Sequence, residues 1–149
     1  MGKKRFFVFD FDSTLTQVEA LDVLAEISLA NKPAEERSKI VKQIQEITDL
    51  GIDGEISFTD SLRRRIDLLK AHKNDLEALI TLLKGKISKS IERNKEFFID
   101  HANQIYVISA GFKEFIIPIV ADYNIAPERV YANTFEFDAQ GNIIGFDTN

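Results

Sequence analysis

The sequence predicts a mixed α/β chain whose parallel sheet is interrupted, just after its first strand, by a block of helices. Three observations lead there. Phe6-Phe7-Val8-Phe9 is a continuous apolar run that passes straight into Asp10-Phe11-Asp12, the pattern of a strand buried on both faces. Gln104-Ile105-Tyr106-Val107-Ile108 repeats that pattern and ends in Ser109-Ala110-Gly111. Between the two, residues 16–84 carry their apolar side chains at helical spacing.

Composition narrows the class further. A length of 149 residues suits one domain, or a small core with an insertion. A hydrophobic share of 44% and a charged share of 29% are those of an ordinary globular protein. Net charge is −5, and basic clusters are confined to Lys3-Lys4-Arg5 and Arg63-Arg64-Arg65, which argues against a nucleic-acid partner. The absence of cysteine excludes a disulfide framework, a thiolate nucleophile and a zinc–sulfur site. No apolar run approaches a membrane span. The basic start leads into a strand rather than a secretory core with a cleavage site, so a cytoplasmic enzyme is expected.

The first strand ends in the most informative residues. Open α/β sheets bind ligands at the carboxyl ends of their strands. Side chains 10 and 12 of an extended segment point the same way, so two carboxylates converge there. That is unfavourable unless a cation lies between them or one is protonated, and Asp is a hard-oxygen ligand suited to Mg²⁺. An acidic turn whose Asp and Ser cap a helix is the plainer alternative.

After Leu15 the period becomes helical. Val18, Leu21, Leu24, Ala25 and Leu29 form an apolar stripe, with Glu19, Asp22 and Glu26 on the other side. Glu19 fits equally well as a solvated acid in a first helical turn. Asn31 and Pro33 mark a break, and a second helix over 34–50 carries Ile40, Val41, Ile44, Ile47 and Leu50. Gly51 and Gly54 punctuate the next turn, after which Ser57 caps a third helix with Asp60 at N3. Along it Phe58, Leu62, Ile66 and Leu69 make one stripe at about 100° per residue, and Arg65 falls almost above Phe58. An arginine on such a stripe needs an anion or a route for its head to reach water; both readings stand.

Asn74-Asp75 opens a fourth helix bearing Leu76, Leu79, Ile80 and Leu83, ended near Gly85. A further helix runs roughly from Ser88 to His101. His72 and His101 are isolated and read as surface or helix-end residues. Ser109-Ala110-Gly111 places a hydroxyl and backbone N–H groups at a strand-to-helix junction, a ready anion site, or else a capping serine with a steric glycine. Pro118 kinks or shortens the helix that follows. From Thr134 to Phe146 the pattern alternates around Asp138-Ala139-Gln140-Gly141-Asn142, which predicts a β-hairpin.

Asp10-Phe11-Asp12-Ser13-Thr14-Leu15 resembles the first motif of the haloacid dehalogenase-like (HAD) phosphatases, Asp-x-Asp-x-Thr-[Leu/Val]. The resemblance implies a HAD-like Rossmannoid parallel sheet, incomplete here, with an inserted four-helix cap and a β-hairpin. It divides the chain into a partial core, 1–15 with 85–149, and a helical cap, 16–84. Val18-Glu19-Ala20-Leu21-Asp22 is similar to the segment of the phosphoserine phosphatase branch whose Glu contacts the substrate ammonium. Phe58-Thr59-Asp60-Ser61-Leu62-Arg63-Arg64-Arg65 resembles the cap segment whose last Arg grips the substrate carboxylate. Ser109-Ala110-Gly111-Phe112 resembles that branch's Ser-Gly-Gly-Phe.

The implied activity is Mg²⁺-dependent hydrolysis of a small phosphorylated amino acid, with Asp10 the nucleophile and Asp12 the acid and base. Asp10 and Asp12 would hold the metal, and Glu19, Arg65, Ser109, Ala110 and Gly111 the substrate. Ala110 departs from the family's Gly, which disrupts the loop only if its φ is positive. The family's phosphate-binding Lys and its Gly-Asp-Gly-x-x-Asp stretch fall beyond residue 149, and Lys113 follows Ser109 too closely to replace the Lys. The chain is therefore expected to be the amino-terminal part of such an enzyme, with little or no activity alone. The alternatives are a HAD phosphatase or phosphotransferase for another small metabolite, and a non-catalytic module of a longer protein. A receiver-type phosphorylation switch fits poorly, because its acceptor Asp follows a later strand.

Overall fold

In the computed structural model, which describes residues 2–148, Phe7–Phe9 form β1, Ile105–Phe112 β2, Val130–Phe137 β3 and Ile143–Asp147 β4. They make one sheet in the order β1-β2-β3-β4. β1 and β2 run parallel with Phe9 opposite Val107, and β2 and β3 run parallel with Val107 opposite Val130. β3 and β4 are the antiparallel arms of the predicted hairpin, with Phe135 opposite Phe146.

Four helices lie between β1 and β2: α1 (Ala20–Ser28), α2 (Ala34–Ile52), α3 (Phe58–Leu69) and α4 (Lys73–Lys84). Ser57 caps α3 as its position predicts, accepting from the Asp60 N–H at 3.0 Å. α4 begins earlier than the sequence suggests because His72 is its cap. The His72 Nδ1 accepts from the Asn74 N–H at 3.1 Å, and Asp75 accepts from the His72 N–H at 2.8 Å, a capping box with imidazole in place of hydroxyl. The helix expected over 88–101 is two short ones, α5 (Lys89–Arg93) and α6 (Lys95–Asp100). They break at Asn94, whose side-chain amide donates back to the Ser90 carbonyl at 2.7 Å. α7 (Lys113–Val120) follows β2 and contains Pro118.

Two expectations about burial fail. The stripe on α2 is buried only at Ile44, and Val41 is exposed, because α2 packs chiefly along α3. β1 is an edge strand covered on one face. Phe7 meets Phe97 edge-on at 5.3 Å and Phe9 meets Phe98 at 5.1 Å. On the other face Phe6, Val8, Ile108 and Tyr131 are each more than half exposed, at 54%, 62%, 53% and 56%. Both faces of a parallel sheet are ordinarily covered, and no described element lies over this one.

Below the sheet the core is continuous. Leu24, Leu62, Leu79, Leu83, Phe112, Phe115 and Ile116 are fully buried in one cluster that joins the inserted helices to α7 and β2. The chain leaving β1 and the chain returning from α4 are stitched together. The Ser88 N–H donates to Leu15 at 2.9 Å and the Gln17 N–H to Lys86 at 2.7 Å. A second stitch joins the hairpin tip to the turn between α3 and α4: the Ile143 N–H donates to Ala71 at 2.9 Å and the Lys73 N–H to Gly141 at 2.8 Å. With Nδ1 accepting, the His72 Nε2 carries the proton and donates to the Gln140 carbonyl at 2.7 Å. Gly141 makes this approach possible, since it takes φ +90° and a Cβ there would lie 2.8 Å from the His72 Nε2. No helix among the described residues is long and apolar enough to cross a membrane.

Candidate active site

β1 stops at Phe9, and the chain turns around the Phe11 carbonyl, which accepts from the N–H groups of Thr14, Leu15 and Thr16. The Phe11 ring is fully buried, whereas Asp10 is exposed and Asp12 half-buried. The two acids thus alternate with a core anchor. One oxygen of Asp10 accepts from the Phe11 N–H at 2.7 Å. Asp12 accepts from the N–H of Ala20, the first residue of α1, at 2.7 Å. Burial pushes the Asp12 carboxyl up to about 6; the Ala20 bond opposes the rise, and the charges of Glu19, Asp10 and Asp22 add to it.

β2 delivers the second half of the site beside the first. The Ser109 hydroxyl accepts from the Gly111 N–H at 2.9 Å, which leaves its own hydrogen free to donate. A Cβ placed on Gly111 would lie 3.1 Å from the Asp12 Oδ2, 3.1 Å from the Ser109 Oγ and 3.2 Å from the Phe115 ring. Asp12 and Ser109 therefore converge on one point that only a residue without a side chain leaves open. Ala110 is exposed, and its φ lies outside the left-handed region, so replacing the family's glycine costs no strain. Its carbonyl accepts from the Asn133 side chain at 2.9 Å.

Glu19 and Arg65 approach from the helices. Glu19 precedes α1 without capping it, and its carboxylate accepts instead from the Ser13 hydroxyl at 2.7 Å. Arg65 is half-buried on α3, and its Nε reaches back to the Ser61 carbonyl at 3.4 Å. Burial pulls the guanidinium below its ordinary value, and Asp22 and Glu19 oppose that fall. Asp22 is itself pushed up by burial and by Glu19, and held down by Arg65. No ion pair joins Arg65 to a described residue. The stripe placed Arg65 over Phe58, but Phe58 is exposed and the buried face runs through Ser61, Leu62, Ile66 and Leu69. Arg65 stands at the edge of that face.

Sequence reasoning passed over Ser13, Asp22, Glu114 and Asn133. Asp22 was legible only as an acid on the polar side of α1. Glu114 reaches from α7 to accept the Phe135 N–H at 2.8 Å and ties β3 to the helix; burial pushes its carboxyl up. The donors at the head of β1 are hard oxygens of the kind Mg²⁺ takes. Among the described residues, no group of three or more His, Cys, Asp or Glu is placed to hold a metal ion.

The chain is similar to known proteins in sequence and in fold. Over 147 residues the chain is 33% identical to a probable phosphoserine phosphatase of Schizosaccharomyces pombe, covering 95% of this chain and 43% of that protein. Over 141 residues it is 29% identical to the chloroplastic phosphoserine phosphatase of Arabidopsis thaliana, covering 95% of this chain and 44% of that one. A phosphoserine phosphohydrolase-like protein from Francisella tularensis superposes with a TM-score of 0.78 at 30% identity, over 97% of this chain and 65% of that one. The chain has the HAD fold and is phosphoserine-phosphatase-like. No family model matches it. This HAD-fold chain spans about half the length of the curated relatives it matches.

Proposed function

We propose that the protein carrying this chain is a Mg²⁺-dependent phosphomonoester hydrolase that acts on O-phosphoserine, and that residues 1–149 supply the nucleophile, the acid–base and the substrate-reading half of its site. The observation that carries the proposal is the convergence of the Asp12 Oδ2 and the Ser109 Oγ at Gly111, beside the exposed carboxylate of Asp10.

In this reading a free oxygen of Asp10 attacks the phosphorus in line, and the bond to the seryl oxygen breaks. Asp12, whose burial lifts it to about 6, gives its proton to that oxygen. It then takes a proton from the water that hydrolyses the aspartyl phosphate, which suits a group titrating near neutrality. The Ser109 hydroxyl donates to a phosphate oxygen. Glu19 meets the ammonium and Arg65 the carboxylate, for which a guanidinium fork is well shaped. An Asp10 oxygen and the Asp12 carbonyl would hold Mg²⁺, which offsets charge between nucleophile and phosphate.

A core of 1–15 with 85–149 and a cap of 16–84 follow from the same reading. The same reading takes the remaining acidic ligand and the phosphate-binding Lys from the part of the protein outside these residues, and takes the protein to be cytoplasmic. The uncovered face of the sheet is consistent with further elements of the core packing there.

The test is steady-state hydrolysis by the full protein with Mg²⁺. Asp10→Asn should abolish turnover, and Arg65→Ala should impair O-phosphoserine far more than an aryl phosphate. Substantial residual turnover in the first refutes the nucleophile, and equal losses in the second refute the substrate.

A further inference from the structure

Ser13 holds a conformation that its residue type does not favour. Its φ is +55°, in the left-handed region where a Cβ is costly and glycine is the comfortable residue. The hydroxyl is what glycine lacks, and here it donates to the Glu19 Oε1 at 2.7 Å. The backbone of Ser13 grips the same segment, its N–H donating to the Val18 carbonyl at 3.2 Å. Neighbours complete the hold: Thr16 Oγ1 donates to the Val18 carbonyl at 2.8 Å, and Asp12 accepts from Ala20 at 2.7 Å. Residues 18, 19 and 20 are thus fixed from residues 16, 13 and 12, and the one side chain fixed among them is Glu19.

Glu19 has no competing duty. It sits at the head of α1 with extended backbone and makes no capping bond. An ionised carboxylate has about four acceptor positions; Ser13 fills one on Oε1, which leaves Oε2 for a second donor. We infer that Ser13 is a positioning residue, whose hydroxyl aims the Glu19 carboxylate at the amine of a phosphorylated amino acid. This rests on the functional reading above. A carboxylate held in place loses less freedom when its ligand arrives, and a charge-assisted O–H···O⁻ bond is strong enough to hold it.

The test compares binding of O-phosphoserine and of 3-phosphoglycerate, which carries a hydroxyl where the former has its amine. Isothermal titration in Mg²⁺ uses the full protein carrying Asp10→Asn, so that no ligand is hydrolysed, and the same protein with Ser13→Gly, with Glu19→Gln and with both, each with a melting curve. The protein with Ser13 and Glu19 intact should prefer O-phosphoserine, and Ser13→Gly should lose about tenfold of that preference with no fall in melting temperature. In the Glu19→Gln background, Ser13→Gly should change the preference no further. An intact preference in Ser13→Gly, an undiminished further loss in the double variant, or a lowered melting temperature with equal losses for both compounds would overturn the role of Ser13 alone. No preference in the full protein with Ser13 and Glu19 intact would overturn the functional reading itself, and this inference with it.

Discussion

Asp12→Asn separates the cost of a buried carboxylate from the use proposed for it. In the folded chain the Asp12 carboxyl rises from 3.8 to about 6, chiefly through burial. The folded state then binds this proton more tightly than the unfolded state does. The stability it contributes is fully present below pH 3.8 and is lost as pH rises through 6. At about 1.4 kcal/mol per unit, the charged carboxylate destabilises the fold near neutrality by an amount on the order of 3 kcal/mol. Asparagine keeps an oxygen for the Ala20 N–H and removes only the charge. Asp12→Asn should therefore match the parent at pH 3.5, gain steadily to pH 6 and hold a plateau above it. For a chain of this size the plateau corresponds to a rise in Tm of roughly 6–12 °C. Urea unfolding followed by circular dichroism from pH 3.5 to 8, with a chelator present, measures the difference directly. A difference that does not vary with pH would refute the burial argument. The stabilised variant has no proton to give, so it should be inert wherever Asp12 is the acid.

Two further substitutions probe the frame around the site. Gly111→Ala would press a methyl to 3.1 Å from both the Asp12 Oδ2 and the Ser109 Oγ and 3.2 Å from the Phe115 ring; it should cost about 1–3 kcal/mol in urea unfolding, and a neutral result would mean the junction is looser than described. His72→Ala removes a helix cap and the bond to Gln140, for roughly 2 kcal/mol in all. Amide exchange should quicken at Lys73 and Ile143, and unchanged protection at both would show that the hairpin tip does not depend on the imidazole.

Much of the fold was legible because it is local. The apolar runs before Asp10 and Ser109 are strands, the helical stripes of residues 16–84 are helices, and the turn residues at 138–142 close a hairpin. What was illegible depends on partners remote in sequence. Phe6-Phe7-Val8-Phe9 reads the same whether or not a second layer covers it, so the exposure of Phe6 and Val8 had no signal. The stripe on α2 gave the right face but not the number of neighbours waiting for it. His72 was legible as a helix-end residue, but its capping bond was not, because the usual capping residues are Ser, Thr, Asp and Asn and here an imidazole nitrogen does the same work. The site followed the same division. Asp10 and Asp12 follow β1, where the spacing of two acids marked them, and Ser109 and Gly111 lie in the second half of β2, where the resemblance marked them. Ser13 did not stand out, because its importance lies in the sign of one dihedral angle and in a partner six residues on.

The bond between hairpin tip and helix turn has a mechanical consequence. It joins the Thr16–Ile87 crossing in tying the inserted helices to the rest of the chain, and α3 and α4 also pack on β4 and α7. Residues 12, 13 and 16 hold residues 18–20 as well. Turning the helical block as a whole would mean breaking these bonds and opening the shared core together, so Glu19 keeps its place relative to the turn after β1.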